Sequence, residues 1–371
     1  MMKTVVYIRG TEIYNDSRAT KEIMTLASSG YQVIVLAWDR RGIAEQKCTA
    51  VFGEFTSASF KFYKNPTPSG IGIKHIDKLL GWIRWGRKEL KEIKKADIIH
   101  ACDLDSGLLA YPICRKRNIK LVYDIYDYYI DTHPIPKMLE SLIENYEIKI
   151  INSADLTIIC TEERKQQIEK SSPKSLIVIH NSPDIPELTP LDSKYDYAYC
   201  GGLDEKRLVG EILRTYPENE DLKFEFAGFG AYNNLAEEYT RKHNNFQYHG
   251  IVAYDQVIEI ESKAICLSAI YDPSYRNHRL CAPNKLYEAL ALGKPIIVCK
   301  GTGIDSIVSE NNIGVVIDYN ADDFYEAVRY LKSHPEFCSL CGKRARRLYE
   351  EKYNWEIMRK RLLGAYKNII C

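Results

Sequence analysis

Short apolar runs and amphipathic stretches alternate along the chain. "KTVVYIRG" (3–10) is an apolar run that breaks at Arg9-Gly10, and a polar loop follows over 11–20. In 21–30, Ile23, Leu26 and Ala27 recur at helical spacing and Gly30 supplies a stop; "YQVIVLAW" (31–38) is apolar again. Strand, helix, strand at this pace is a βαβ unit. The alternation continues with strands expected at 96–103, 120–127, 154–161 and 175–181, and helices at 106–118 and around 137–152. Parallel strands joined by helices make a doubly wound sheet whose ligands gather at the strands' carboxyl ends.

The pattern lapses over 181–196, which holds three prolines and no apolar period, and this stretch reads as a linker. It then restarts: strands at 197–202, 223–230, 246–250, 264–270, 295–300 and 314–318, with helices at 208–216 and 234–243 among them. A last helix is expected at 354–370, with Ile357, Leu362, Leu363 and Tyr366 on its apolar face. The expected fold is therefore α/β, with two Rossmann-like domains facing across a cleft: 1–185, then 186–352, and a terminal helical segment, 353–371. Clefts between such halves commonly take ligands.

Size agrees with this reading, since 371 residues exceed one comfortable core and suit two domains of roughly 180 residues each. A net charge of +1 lacks the basic surplus of a nucleic-acid binder. Eleven cysteines without a disulfide-scaffold spacing, and no signal segment before the first strand, lead us to expect a reducing, cytoplasmic setting. Cys338 and Cys341 form a lone C-x-x-C, short of the four ligands a structural zinc site needs, so no metal is expected. No run of about 18 apolar residues is present to span a membrane.

One charge interrupts the apolar pattern. In "CAPNKLYEALALGKPIIVCKG" (281–301), Glu288 sits among Leu286, Ala289, Leu290 and Leu292. Pro283 suits a first helical turn, and a helix from Asn284 puts 284, 285 and 288 on one face. Its amide-rich tip suits a pyrophosphate, and a carboxylate one turn deeper suits the hydroxyls of a ribose. The competing reading is a Lys285–Glu288 surface pair on an ordinary helix.

This stretch resembles the donor-site signature of GT-B glycosyltransferases of the large GT4 (group 1) family, roughly P-x-K-x-x-E-x-x-A-x-G-x-P. The resemblance extends to "YCGGLDEKRLVGEIL" (199–213), "FAGFG" (226–230), 246–270, 9–38 and "KLVYDIYDYY" (120–129), and to 351–369 as a helix crossing back onto the first domain. It implies a retaining, metal-independent hexosyltransferase-type enzyme that needs no cofactor. Such an enzyme moves a sugar from a UDP- or GDP-sugar to a hydroxyl of a glycan or a lipid-linked oligosaccharide, as in surface polysaccharide biosynthesis. By the same resemblance Glu288 binds the donor ribose, while Asn284, Lys285 and the amides from Leu286 onward surround the phosphates. Arg207, with Lys206 beside it, neutralises the pyrophosphate. Gly201 and Gly202 let the backbone approach, Gly228 and Phe229 lie near the base, and Gly10 and Thr11 form the facing loop.

Two departures from the family pattern matter. Leu280 stands eight positions before Glu288, where many members carry a sugar-binding glutamate; backbone amides, Asn277 or His278 are left for that task, or a different sugar is used. In "VYDIYDYYIDTH" (122–133), Tyr126 takes the place of the usual histidine, so Asp127 is the candidate nearest the acceptor hydroxyl, with His100 and Asp103 next. "DLD" (103–105) is formally a metal-binding D-x-D, but the second-half motifs contradict the fold that uses it. In 75–97, Trp82 and Trp85 interleave with seven Lys and Arg residues, a pattern that suits either peripheral contact with an anionic membrane or packing on the first sheet. A sugar-nucleotide epimerase and a non-catalytic nucleotide-binding subunit are the alternative functions. A nicotinamide dehydrogenase is disfavoured, because "YIRGTEIYND" (7–16) has one glycine where three are needed.

Overall fold

The apolar runs pair side by side, all parallel, in two sheets. In this computed structural model the described residues are 2–67, 76–133, 135–185, 187 and 193–370. The chain divides into one unit of Met1–Asn181 with Met358–Cys371 and a second of Ser182–Ile357. Most of 186–192, within the expected linker, and His75, at the start of the basic stretch, lie outside the described residues.

In the first unit the strands are β1 Thr4–Arg9, β2 Gln32–Asp39, β3 Ala58–Lys64, β4 Ile98–Cys102, β5 Lys120–Ile125, β6 Leu156–Ile159 and β7 Leu176–Val178, in the order 3-2-1-4-5-6-7. The central strands are buried on both faces, which is why they read as continuous apolar runs. β3 and the helix Ala44–Phe52 before it carry no such run. β3 is an edge strand paired only with β2, and its "SFKFYK" alternation leaves every residue at least partly exposed. The strand order reverses between β1 and β4, so their carboxyl ends, Arg9-Gly10 and Cys102-Asp103, flank the natural ligand crevice of this sheet.

The basic helix is Ile76–Glu92. Its Trp82 is fully buried, stacked on Trp38 at 5.7 Å and on Trp85 at 5.4 Å. The tryptophans therefore belong to the core of the first unit. Arg84, Lys88 and Lys91 remain on the exposed face. No helix among the described residues is long and apolar enough to cross a membrane.

In the second unit β8 Tyr195–Leu203, β9 Phe224–Gly230, β10 Phe246–Tyr248, β11 Ala264–Ala269, β12 Ile296–Cys299 and β13 Gly314–Ile317 stand in the order 10-9-8-11-12-13. Here the order reverses between β8 and β11. Two apolar clusters flank this sheet, one built on Phe224, Phe226 and Phe324, the other on Leu286, Leu290 and Val298. The terminal helix, Trp355–Ile370, buries Met358, Leu362 and Tyr366, whereas Ile357 and Leu363 are only half-buried. The expected stripe is thus rotated toward Met358.

Candidate functional site

In the second unit the expected donor residues gather at the carboxyl end of β8. Gly201 and Gly202 pair with Gly228 and Phe229 of β9 in parallel register. Gly228 has φ +134°, and a Cβ there would lie 1.8 Å from the Gly201 carbonyl oxygen, so only glycine fits. A Cβ on Gly201 would meet Lys285 Cε at 3.2 Å, and one on Gly202 would meet Arg207 Cζ at 3.6 Å. The bare backbone of this turn therefore lies between a lysine and an arginine. Arg207 Nε is 3.2 Å from Asp204 Oδ2, and its Cζ lies 5.4 Å from the Tyr271 ring centroid. The Tyr199 hydroxyl donates to the Gly202 carbonyl at 2.9 Å. Lys206 is exposed, its ammonium 4.4 Å from the Tyr275 ring centroid, and Phe229 is exposed as well.

The helix carrying the motif is Asn284–Leu292. Pro283 does not enter its first turn: at ψ 135° it is extended and occupies the N-cap. Asn284 is exposed. Leu286 needs correcting, because its side chain is fully buried in the core and its amide donates to the Pro283 carbonyl at 3.2 Å. Leu286 anchors the helix and has nothing left for a phosphate.

Glu288 is not an open surface acid either. It is only 4% exposed, with Lys285 Nζ 3.5 Å from its Oε2. That ammonium has a closer partner, Glu261 Oε1 at 2.9 Å, from the end of the helix Tyr254–Ser262. Both reading alternatives for Lys285 and Glu288 thus miss a third member, Glu261, which is 1% exposed. Burial pushes the Glu261 carboxyl up to about 8, with Lys285 pulling it down and Glu288 adding to the rise. Burial opposes the Lys285 charge, but Glu261 and Glu288 outweigh it and hold the ammonium well above its ordinary range. Glu261 Oε2 and Glu288 Oε2 are buried without hydrogen-bond partners. Two buried carboxyl groups therefore share one ammonium beside a glycine turn.

Leu280 ends the short helix Arg276–Leu280. Asn277 Oδ1, in the same turn, is buried without a partner, and His278 Nδ1 lies 3.0 Å from the Asp272 carbonyl. Burial, with Lys206 and Arg207 nearby, moves the His278 imidazole below its ordinary value, which favours the neutral ring.

In the first unit the acid–base candidates separate into two groups. His100 is fully buried, with Nδ1 2.6 Å from the Tyr366 hydroxyl and Nε2 3.2 Å from Asp124 Oδ2. Arg18 ties the same Asp124 at 2.6 Å and Glu22 at 3.0 Å. Burial opposes the charge of Asp124, but Arg18 and His100 outweigh it and keep the carboxyl below its ordinary range. Every acceptor and donor of His100 is spent, so it is a core histidine. Cys102 completes a cluster with His100 and Asp124 whose ligand atoms lie within 4.8 Å, yet burial holds its thiol far above the usual range.

Asp127 is the surface member, half exposed and 3.1 Å from Arg164 Nη2. It is fastened by Asp103, whose Oδ1 accepts the amides of Tyr126 at 2.8 Å and Asp127 at 3.1 Å and whose Oδ2 pairs with Arg9. Asp103 has φ +62°, a left-handed backbone that costs a non-glycine residue energy. Burial pushes its carboxyl up to about 6 against the pull of Arg9. Both aspartates of the D-x-D are engaged by the protein, because Asp105 Oδ1 accepts the Ser106 amide at 2.8 Å. Asp105 also packs against Gly10, where a Cβ would fall 1.7 Å from Oδ2; Arg40 donates to the Gly10 carbonyl at 2.7 Å, and Thr11 follows, half-buried. Tyr126, in the histidine's place, turns inward to Tyr7 at 2.9 Å, with Arg9 and Arg18 at 3.9 and 4.5 Å from its ring centroid.

Each half of the chain matches a family model: Glycosyltransferase Family 4 over 21–185 and Glycosyl transferases group 1 over 184–348. Among solved structures, the chain is similar to a sucrose-phosphate synthase from Thermosynechococcus elongatus, at 13% identity, TM-score 0.74 and 99% of each chain. It is also similar to Anabaena Alr3699/HepE in complex with UDP-glucose, at 12% identity and TM-score 0.72 over 98% of this chain and 99% of that one. At these identities the likeness establishes the fold, two Rossmann-like domains of GT-B type. The spore coat protein SA of Bacillus subtilis is 30% identical over 105 residues, 28% of this chain and 26% of that protein, so the match spans about a quarter of the curated relative. With a family model on each half and the matching fold beneath both, the chain belongs to the GT4-like, group 1 glycosyltransferases.

Proposed function

We propose that the protein is a retaining, metal-independent glycosyltransferase that moves a hexosyl unit from a nucleoside-diphosphate sugar to a hydroxyl of a glycan or lipid-linked oligosaccharide. One observation carries this reading: Lys285, Arg207 and Glu288, whose Oε2 accepts no hydrogen bond and faces the Lys285 ammonium at 3.5 Å, gather about the bare Gly201-Gly202 turn at the sheet's switch point. Glu288 Oε2 accepts a ribose hydroxyl, and Lys285 and Arg207, with Lys206 outside them, meet the diphosphate. Negative charge grows on that diphosphate as the glycosidic bond breaks, and cations already in place stabilise it most at that moment. The acceptor attacks the face the diphosphate leaves, so no protein nucleophile is needed and positioning supplies much of the remainder. Asp127, half exposed and steered by Asp103 and Arg164, meets the acceptor hydroxyl. A cytoplasmic protein resting on the inner membrane surface by the basic face of Ile76–Glu92 would reach a lipid-linked acceptor, and surface polysaccharide assembly is the setting that fits.

Leu280 in place of the sugar-side acid favours the second reading, a nucleotide-binding subunit without turnover. The test is thermal stability with UDP, GDP and their sugars, followed by release of nucleoside diphosphate in the presence of candidate acceptors. Stabilisation by a nucleotide sugar and acceptor-dependent release support the transferase. Stabilisation without release by any acceptor supports the subunit, and no stabilisation by any nucleotide refutes both.

A further inference from the structure

The buried group at the motif helix holds one cation and two acids, an imbalance the nucleotide-binding role does not use. Lys285 Nζ has Glu261 at 2.9 Å and Glu288 at 3.5 Å. The groups facing Glu261 are Lys285 and Glu288 from Asn284–Leu292, Cys200 from β8 and Tyr254 from the start of its own helix. None but Lys285 is a cation. Glu261 Oε1 is occupied by that ammonium, and Oε2 has no partner.

We propose that Glu261 is the positioning residue of the diphosphate site: it holds the Lys285 ammonium before a nucleotide arrives and, wherever it is still ionised, takes up a proton as the diphosphate settles beside that ammonium. The inference rests on the proposed function, since it requires a diphosphate at Lys285. Its physics is like-charge repulsion in a dry site. A nucleoside diphosphate brings two or more negative charges next to the one cation that makes an ionised Glu261 tolerable, whether or not Lys285 moves. The acid then neutralises by forming an O–H bond at Oε2, the oxygen that nothing else occupies. The proton comes from the buffer acid, and the carboxylate charge is exchanged for the phosphate charge with no other group oxidised or reduced.

The sign follows from the direction of the shift. Burial already raises the Glu261 carboxyl to about 8 without nucleotide. Binding raises it further, so uptake is greatest around and above that value, and affinity falls as pH rises through it. Glutamine at 261 copies the protonated acid, so Glu261→Gln binds without the proton.

The experiment is calorimetric titration of the full chain and of Glu261→Gln with UDP and with GDP at pH 7, 8 and 9, each in two buffers of different ionisation enthalpy and none containing phosphate. For the wild type we expect net proton uptake at pH 8 and 9 and about a tenfold loss of affinity between pH 7 and 9. For Glu261→Gln we expect only the small buffer-dependent heat of the nucleotide's own phosphate in that window, with no proton uptake, and an affinity that stays level. The nucleotide's own terminal phosphate titrates alike in both proteins and cancels in the comparison. Binding without uptake in the wild type, or uptake that persists in Glu261→Gln, overturns the proton role while leaving the functional reading intact. A folded Glu261→Gln that is weakened equally at every pH also overturns it, because it marks an anchor for Lys285 alone. If neither nucleotide binds the wild type, the functional reading falls and takes this inference with it.

Discussion

Replacing Arg207 by methionine separates a ligand-facing cation from a scaffold one. In the folded chain its side chain is 34% exposed and its ion pair is with Asp204, itself 42% exposed, at 3.2 Å. A pair so open to water contributes at most about 1 kcal/mol, and methionine keeps the apolar stem against Tyr271. Unfolding should therefore move by no more than about 2–4 °C. Binding should change far more. Charge-assisted hydrogen bonds to a phosphate are worth about 1.5–3 kcal/mol each, which is roughly 10- to 150-fold in the dissociation constant. If the leaving diphosphate gathers charge in the transition state, the rate of transfer should drop further, by about 100- to 1000-fold. Thermal unfolding without ligand, titration with the preferred nucleoside diphosphate and single-turnover transfer measure the three separately. The reasoning is refuted if Arg207→Met binds the nucleotide within threefold of wild type, or if the loss comes with a collapse of more than about 8 °C in the free protein.

Three further substitutions probe the scaffold. Arg18→Met strips the counter-ion from fully buried Asp124 and Glu22, and breaking such a pair costs about 3–5 kcal/mol, seen as a lower denaturation midpoint at pH 7. Because Arg18 and His100 keep the Asp124 carboxyl depressed in the folded state, the deficit should shrink as pH falls below the ordinary carboxylate range. Glu147 is buried, its Oε1 on the Tyr123 hydroxyl at 2.8 Å, and burial pushes its carboxyl up to about 8. Its folded state keeps a proton the unfolded chain has lost, so wild-type stability should decline from about pH 4.5 to 8. Glu147→Gln should remove a slope on the order of 1.4 kcal/mol per pH unit, gaining on wild type at pH 8 and not at pH 4. Gly228→Ala places a methyl 1.8 Å from the Gly201 carbonyl at φ +134° and should cost several kcal/mol, read as loss of soluble protein or a sharply lowered unfolding temperature.

The parallel strands were legible because a strand buried on both faces must be apolar throughout, as in "TVVYIR" and "IIVC". β3 was not, because an edge strand carries lysines between its aromatics, and that pattern also suits an exposed loop. The basic helix held two readings because sequence spacing places Trp82 and Trp85 on a stripe without saying what covers it. In the fold Trp38 and Tyr63, from β2 and β3, cover that stripe.

The site follows the same rule. Gly201, Gly202, Arg207 and Lys285 announce themselves because their types at fixed offsets resemble one donor-site signature, and the fold brings them together at one turn. Glu261 gave no such signal, since its offset from Lys285 is set by a helix and a strand packing side by side. In "VIEIESKAIC" (257–266) it follows Glu259, which pairs with Lys263 at the surface, and nothing in the local spacing separates the two acids. Their difference is made by burial: the outer acid is held by water and a flexible lysine, the inner by one buried ammonium shared with Glu288. A sequence reading that places one acid at the ribose therefore undercounts the charge at this site. Its pH behaviour turns on Glu261, because Lys285 is the cation that makes its charge tolerable while Glu288 adds repulsion, so losing Lys285 strands two buried acids whereas losing either acid leaves a balanced pair.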